Sequence, residues 1–179
     1  MEPPTAGRES HPVVFVTWCD AAGYCAADGK RLCGRIGGGA LRNSADTPGH
    51  DDDRHDAAVG EWFNACTRGG TRGFVYGSTF EPGRCAGNYD GVVDQTAPVG
   101  DPACEGGYPG LFDLGGSVSE YIDACFHHPK DKEQLPACIA AGSVGTPDRP
   151  GCSADDYPSF GDYEADVGIR CCADTLPTL

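Results

Sequence analysis

The sequence predicts an irregular α+β domain with little regular secondary structure, stapled by disulfides. Three observations predict it. Apolar residues recur at helical spacing in only two stretches, both ahead of Gly70. The remaining apolar residues come in pieces of strand length or shorter, set between glycines and prolines, of which the chain has 27 and 14. Eleven cysteines in 179 residues are dense enough to be a disulfide framework.

The length is that of one domain. A net charge of -14 argues against nucleic acid, whose phosphates need a basic face, and suits solubility or cation binding. No apolar run approaches the length of a membrane-spanning helix. The chain is expected to be a monomer. Zinc is the rival use of the cysteines, but no tight Cys-x-x-Cys or His-x-x-x-His set is present. Disulfides imply an oxidising compartment, hence export: extracellular, cell-surface or periplasmic. The odd count leaves one thiol free or paired outside the chain. Residues 1–11 read as a disordered N-terminal segment. The polar run from Met1 to Pro12 has no secretory leader in it, so the leader is expected to have been removed or the start lost.

The first helix follows from Thr17 as N-cap, with Asp20 three residues on making a capping box. Trp18, Ala21, Ala22 and Cys25 form one stripe, and Gly29 ends the helix. A second helix is expected from near Asp56, with Val59, Trp62, Phe63 and Cys66 as its stripe and Gly69-Gly70 as its stop. Both stripes read as core, so Trp18 and Trp62 are packing residues. Between the helices, 34–55 reads as a flexible loop. Gly37-Gly38-Gly39 lacks the strand and lysine of a phosphate loop. His50, Asp51 to Asp53 and His55 have metal-binding side chains, but a solvated run is the expectation. The short apolar pieces Phe74-Val75-Tyr76, Val92-Val93, Gly110-Leu111-Phe112, Val118 to Ile122, Ile139-Ala140-Ala141 and Val167-Gly168-Ile169 are the candidate strands.

An ordered set of short motifs adds a resemblance. Pro12-Val13-Val14-Phe15-Val16-Thr17-Trp18-Cys19-Asp20-Ala21, Tyr24-Cys25 and Gly29-Lys30-Arg31-Leu32 look like a "PV..VSW.DA..YC.W.GKRLP" opening. Glu61-Trp62, Tyr76-Gly77, Pro98-Val99-Gly100, Gly110 to Tyr121, Ala141-Gly142-Ser143 and Gly168-Ile169-Arg170-Cys171 follow in order. They are similar to "TEAEWE", "(Y/W)PWG", "PVG", "GLYDMVGNVWEW", "RGGS" and "GFRC". Together they resemble the formylglycine-generating enzyme (sulfatase-modifying factor) family, in a form similar to its bacterial secreted members. The resemblance implies a variant of the C-type lectin-like fold over 12–179. It also implies that the family domain's first part is missing and that 34–55 is a loop insertion.

Residue by residue, the resemblance implies disulfides Cys25–Cys171 and Cys66–Cys152. Cys85–Cys104 and Cys125–Cys138 are guesses from proximity, and the other pairings stay open. It implies calcium held by the Asp113 carboxylate, the Gly116 and Val118 carbonyls and Glu120, oxygen donors that suit a hard cation. A second, weaker site would use Asn88 and Asp94. Family catalysts bind copper through two cysteines ahead of the position of Cys152 and use oxygen to convert a substrate cysteine to formylglycine. Here Ser143 to Gly151 holds no cysteine, so copper is not expected. The "RGGS" arginine is Ala140 and the "NVWEW" tryptophan is Ser119; only Ser143 keeps a family active-site position. Related sulfoxide synthases carry a three-histidine iron site in a helical domain absent here.

Three readings follow. The first is a non-catalytic binding domain, taking a protein, glycan or small ligand through its C-terminal loops, where Tyr157, Phe160 and Tyr163 are contact candidates. The second is a family oxidoreductase with an unrecognised or degenerate active site. The third is a truncated copy without function.

Overall fold

A computed structural model describes residues 7–42, 52–85, 96–126, 136–142 and 151–174. Helix α1 spans Trp18–Ala27 and helix α2 spans Glu61–Thr67. The strands are β1 (Arg31–Leu32), β2 (Ser119–Phe126), β3 (Ala137–Ala141), β4 (Asp155–Asp156), β5 (Val167–Ile169) and β6 (Cys171–Cys172). No described helix is long and apolar enough to cross a membrane.

Helix α1 forms where its cap predicts. The Thr17 hydroxyl accepts from the Asp20 N–H at 3.1 Å, and the Asp20 carboxylate accepts from the Thr17 N–H at 3.0 Å. Ala21 and Cys25 of its stripe are fully buried.

Helix α2 starts later than its stripe suggests. Gly60 is extended and stands as the N-cap, so Val59 lies in the turn before the helix. Arg68, not a glycine, takes the left-handed C-cap position at φ 51°. The expected flexible loop is ordered where it is described. Gly37, Gly38 and Gly39 all have positive φ and close a turn through Arg35 N–H to Gly39 C=O at 2.8 Å. Asp53–His55 form a 3-10 turn capped by Asp52, because its charges find partners: Arg35 holds Asp53, and Arg54 holds Asp52 and Asp155. His50 and Asp51 lie outside the described residues. Of the segment expected to be disordered, residues 7–11 are described; Ser10 C=O accepts from Val99 N–H, and the His11 ring bonds the Thr96 hydroxyl at 2.8 Å.

Strand order in the larger sheet is β4-β3-β2-β5. β2 pairs antiparallel with β3 and parallel with β5, in the registers Tyr121↔Ala140 and Glu120↔Gly168. β1 and β6 form a separate ribbon, Leu32 opposite Cys171. Phe74 to Tyr76 is no strand: Phe74 and Gly77 exchange both backbone hydrogen bonds across a tight turn. Gly110 to Phe112 contributes a single bridge, Glu105 to Phe112. Val92-Val93 lies outside the described residues.

The core has two halves on opposite sides of β2. Tyr121 faces Val16, Leu32 and Val167, while Ile122 faces Trp62, Val75, Leu114 and Ile139, the two-residue alternation of a strand. Gly142 is a required glycine. At φ 88° a Cβ there would come within 2.5 Å of the Trp62 ring.

Candidate functional site

A cavity of about 470 Å³ opens between the N-terminal segment at Pro12-Val13, the Val99-Gly100 stretch and the turn leading into β2. Asp113, Gly116, Val118 and Glu120 all line it. The turn is folded tightly: Asp113 and Ser117 sit at φ 62° and 66°, and Val118 N–H donates back to Gly116 C=O at 2.9 Å. Such non-glycine left-handed positions cost about 1 kcal/mol each and gather at functional turns. The same turn holds the neighbouring stretch, since Asp113 Oδ2 accepts from Gly100 N–H at 2.6 Å and the Ser117 hydroxyl from Ala97 N–H at 3.0 Å.

Glu120 comes from β2 with its side chain buried. Its Oε2 accepts from Trp62 Nε1 at 2.8 Å and from Arg170 Nε at 2.6 Å. Arg170 also donates to Phe112 C=O at 2.8 Å. Burial alone would lower the Arg170 pKa, but the Glu120 carboxylate and the nearby Asp113 charge outweigh burial and raise it. Glu120 is thus an ion-pair partner before it is anything else, and Trp62, read from sequence as packing alone, also orients it.

Oxygen donors of the kind a hard cation takes are among the lining residues. Asp113 and Glu120 bring carboxylates to the lining, and Gly116 and Val118 bring backbone carbonyls. A carbonyl that already accepts one hydrogen bond keeps a second lone pair. Two cations share the lining: Arg170, which pairs with Glu120, and Lys30, which pairs with Asp28 outside it. Among the described residues no three His, Cys, Asp or Glu side chains converge on one point. Asn88, Asp94 and Ser143 lie outside the described residues.

Ten cysteines form five disulfides: Cys25–Cys171, Cys33–Cys172, Cys66–Cys152, Cys85–Cys104 and Cys125–Cys138. Cys19 is the free thiol, exposed on α1. The adjacent Cys171 and Cys172 clip β6 to the end of α1 and to the residue after β1. Cys66–Cys152 ties α2 to the turn ahead of β4.

The three aromatic contact candidates separate. Phe160 packs on Trp18 with ring centroids 5.8 Å apart and belongs to the core's edge. Tyr163 is 63% exposed. The Tyr157 hydroxyl meets Arg54 Nη1 at 2.8 Å, and its ring lies edge-on to Phe126. Arg54 and His55 both reach the buried Asp155 Oδ2 at 3.0 Å. Sequence reading missed this cluster, because nothing in the acid-then-base run from Asp52 to His55 points to Asp155.

A sequence model of the sulfatase-modifying factor enzyme 1-like domain matches residues 1–175. The formylglycine-generating enzyme of Mus musculus is 28% identical over 200 residues, covering 96% of this chain and 46% of its own length. The chain therefore spans less than half of that relative. Three solved structures share the fold. CarF aligns with a TM-score of 0.56 at 20% identity, covering 93% of this chain and 70% of its own. Treponema denticola variable protein 1 aligns at 0.58 and 18%, covering 94% and 73%. PvdO from Pseudomonas aeruginosa aligns at 0.53 and 19%, covering 89% and 60%.

Proposed function

This chain belongs to the sulfatase-modifying factor family, and from that premise we propose that it is an exported, non-catalytic binding domain that holds calcium in the cavity beside β2. Its irregular, disulfide-stapled α+β architecture is the fold of that family.

The observation that carries the non-catalytic reading is the state of the cysteines. The family reaction, as the resemblance implies it, needs two thiolates to bind copper, a soft-ligand preference. Here the sequence between Cys138 and Cys152 has no cysteine, and every cysteine except Cys19 is tied in a disulfide. A single exposed thiol supplies neither a copper-binding pair nor a thiol couple.

Calcium, when bound, supplies charge neutralisation and cross-linking of oxygen donors. The chain's own residues do the positioning. Arg170 and Trp62 fix one oxygen of Glu120. Asp113 holds Gly100 through one oxygen and keeps the other for the cation. The ion would then lock the turn into β2 onto the Val99-Gly100 stretch. Tyr157 and Tyr163, exposed on the C-terminal loops, supply aromatic contact surface for a protein, glycan or small ligand. Five disulfides favour export.

The test is thermal unfolding of the oxidised protein with calcium or chelator, beside Cu(I) titration and assay of a cysteine peptide. At a hundredfold excess over Kd, calcium raises Tm by about 8 °C. Asp113→Asn removes that rise and leaves the fold intact, since asparagine tolerates positive φ. Tight Cu(I) binding with oxidation of the peptide would overturn the reading.

A further inference from the structure

The chain carries 27 acidic and 13 basic residues, so an arginine here is surrounded by available carboxylates. Lys30, Arg31, Arg35, Arg54, Arg84 and Arg170 have each taken one. Arg68 and Arg72 form no ion pair among the described residues, and they line one open groove of about 230 Å³ with Tyr108 and Pro109. We infer that this groove is a binding site for an oxyanion group (carboxylate, sulfate or phosphate) carried by a small ligand that lies against Tyr108.

The groove is built before any ligand arrives. The loop carrying Tyr108 wedges so closely against α2 that a Cβ on Gly107 would fall 1.9 Å from Ala65 C=O. The Tyr108 hydroxyl bonds Asn64 Oδ1 at 3.2 Å, which fixes the ring above the end of α2. Glu105, the one acid in the lining, has Oε1 taken by Gly110 N–H at 2.8 Å. Arg72 spends one nitrogen on Val75 C=O at 3.3 Å and keeps the rest of its fork. Arg68 stands in the left-handed C-cap conformation that glycine adopts without strain. An arginine kept there at a conformational cost supplies what glycine lacks, an exposed guanidinium. Two guanidinium forks beside an aromatic face are the chemistry that grips an oxyanion.

Inorganic sulfate, inorganic phosphate and N-acetyl-aspartate amide serve as separate probes, titrated against tyrosine and arginine side-chain NMR signals at a constant ionic strength of about 0.15 M. Saturable shifts at Tyr108 with Kd in the millimolar range are expected for at least one probe, and the preferred probe separates carboxylate from tetrahedral anions. Arg68→Gly separates a binding role from a capping role, because it relieves the backbone while deleting the guanidinium. It should raise thermal stability yet weaken binding about tenfold, and Arg72→Gln should weaken it similarly. Linear, unsaturable shifts with all three probes, or the same affinity in Arg68→Gly and Arg72→Gln as in the parent, would overturn the inference.

Discussion

Arg170 and Glu120 meet across fifty residues of sequence, Nε to Oε2 at 2.6 Å, at the point where β5 gives way to β6 and β2 begins. Trp62 from α2 donates to the same oxygen. One buried carboxylate therefore ties helix, sheet and C-terminal strand together.

Breaking that tie strands a charge. Arg170→Met should destabilise the fold by about 3 kcal/mol, because Glu120 stays buried without its counter-ion. Trp62→Phe keeps most of the packing and removes one donor, so about 1–2 kcal/mol is expected. Urea unfolding measures both; equal losses would show that packing rather than charge dominates.

The adjacent bridges Cys25–Cys171 and Cys33–Cys172 span 146 and 139 residues, nearly the same loop. Once either is closed, the other closes a further loop of only about ten residues. On the chain-entropy view, removing one bridge costs about 3 kcal/mol and removing both costs about 8. Double-alanine variants at each bridge, compared with the fourfold variant by denaturant midpoint, check this. A fourfold loss that merely doubled the single loss would contradict it.

Tyr121 is fully buried, and its hydroxyl has no hydrogen-bond partner among the described residues. Burial, with smaller contributions from Glu164, Asp162 and Asp20, pushes its pKa up to about 12 from 10. The folded state thus holds the proton more tightly than the unfolded one. Its contribution is present in full below pH 10 and is lost as pH rises through about 12. Tyr121→Phe should flatten that alkaline loss and gain about 1 kcal/mol at neutral pH by deleting an unsatisfied group. Unfolding midpoints across the window decide it.

Asp155 anchors the 3-10 turn that closes the long loop after β1. Asp155→Ala leaves Arg54 with Asp52 and the Tyr157 hydroxyl and takes from His55 its carboxylate contact, a loss on the order of 2 kcal/mol. The effect should be local, with faster amide exchange from Asp52 to His55 and little change in β2 and β3. Uniformly faster exchange would mean that the turn is part of the global fold.

What could be read from the chain alone was whatever short stretches decide by themselves. Thr17 and Asp20 cap α1 by hydrogen bonds within one turn, so the helix was legible with its start. The stripe that placed Val59 in α2 was local too, yet Gly60, extended and pressed against the carbonyls of Asp53 and Arg54, moved the start to Glu61. The glycine run and the charged run looked loose because their partners are remote: Asp155 lies a hundred residues from Arg54, and nothing in Asp52 to His55 names it.

The sequence by itself determined the α+β class, the first helix, the disulfide density and the order of motifs that carries the family resemblance, since these rest on spacing, caps and composition. Only the tertiary structure decided that Glu120 belongs first to Arg170 and Trp62, that Phe160 packs while Tyr163 stands out, and that Arg68 and Arg72 share a groove. Those outcomes depend on strand register and chain path, which bring together groups that no local signal connects.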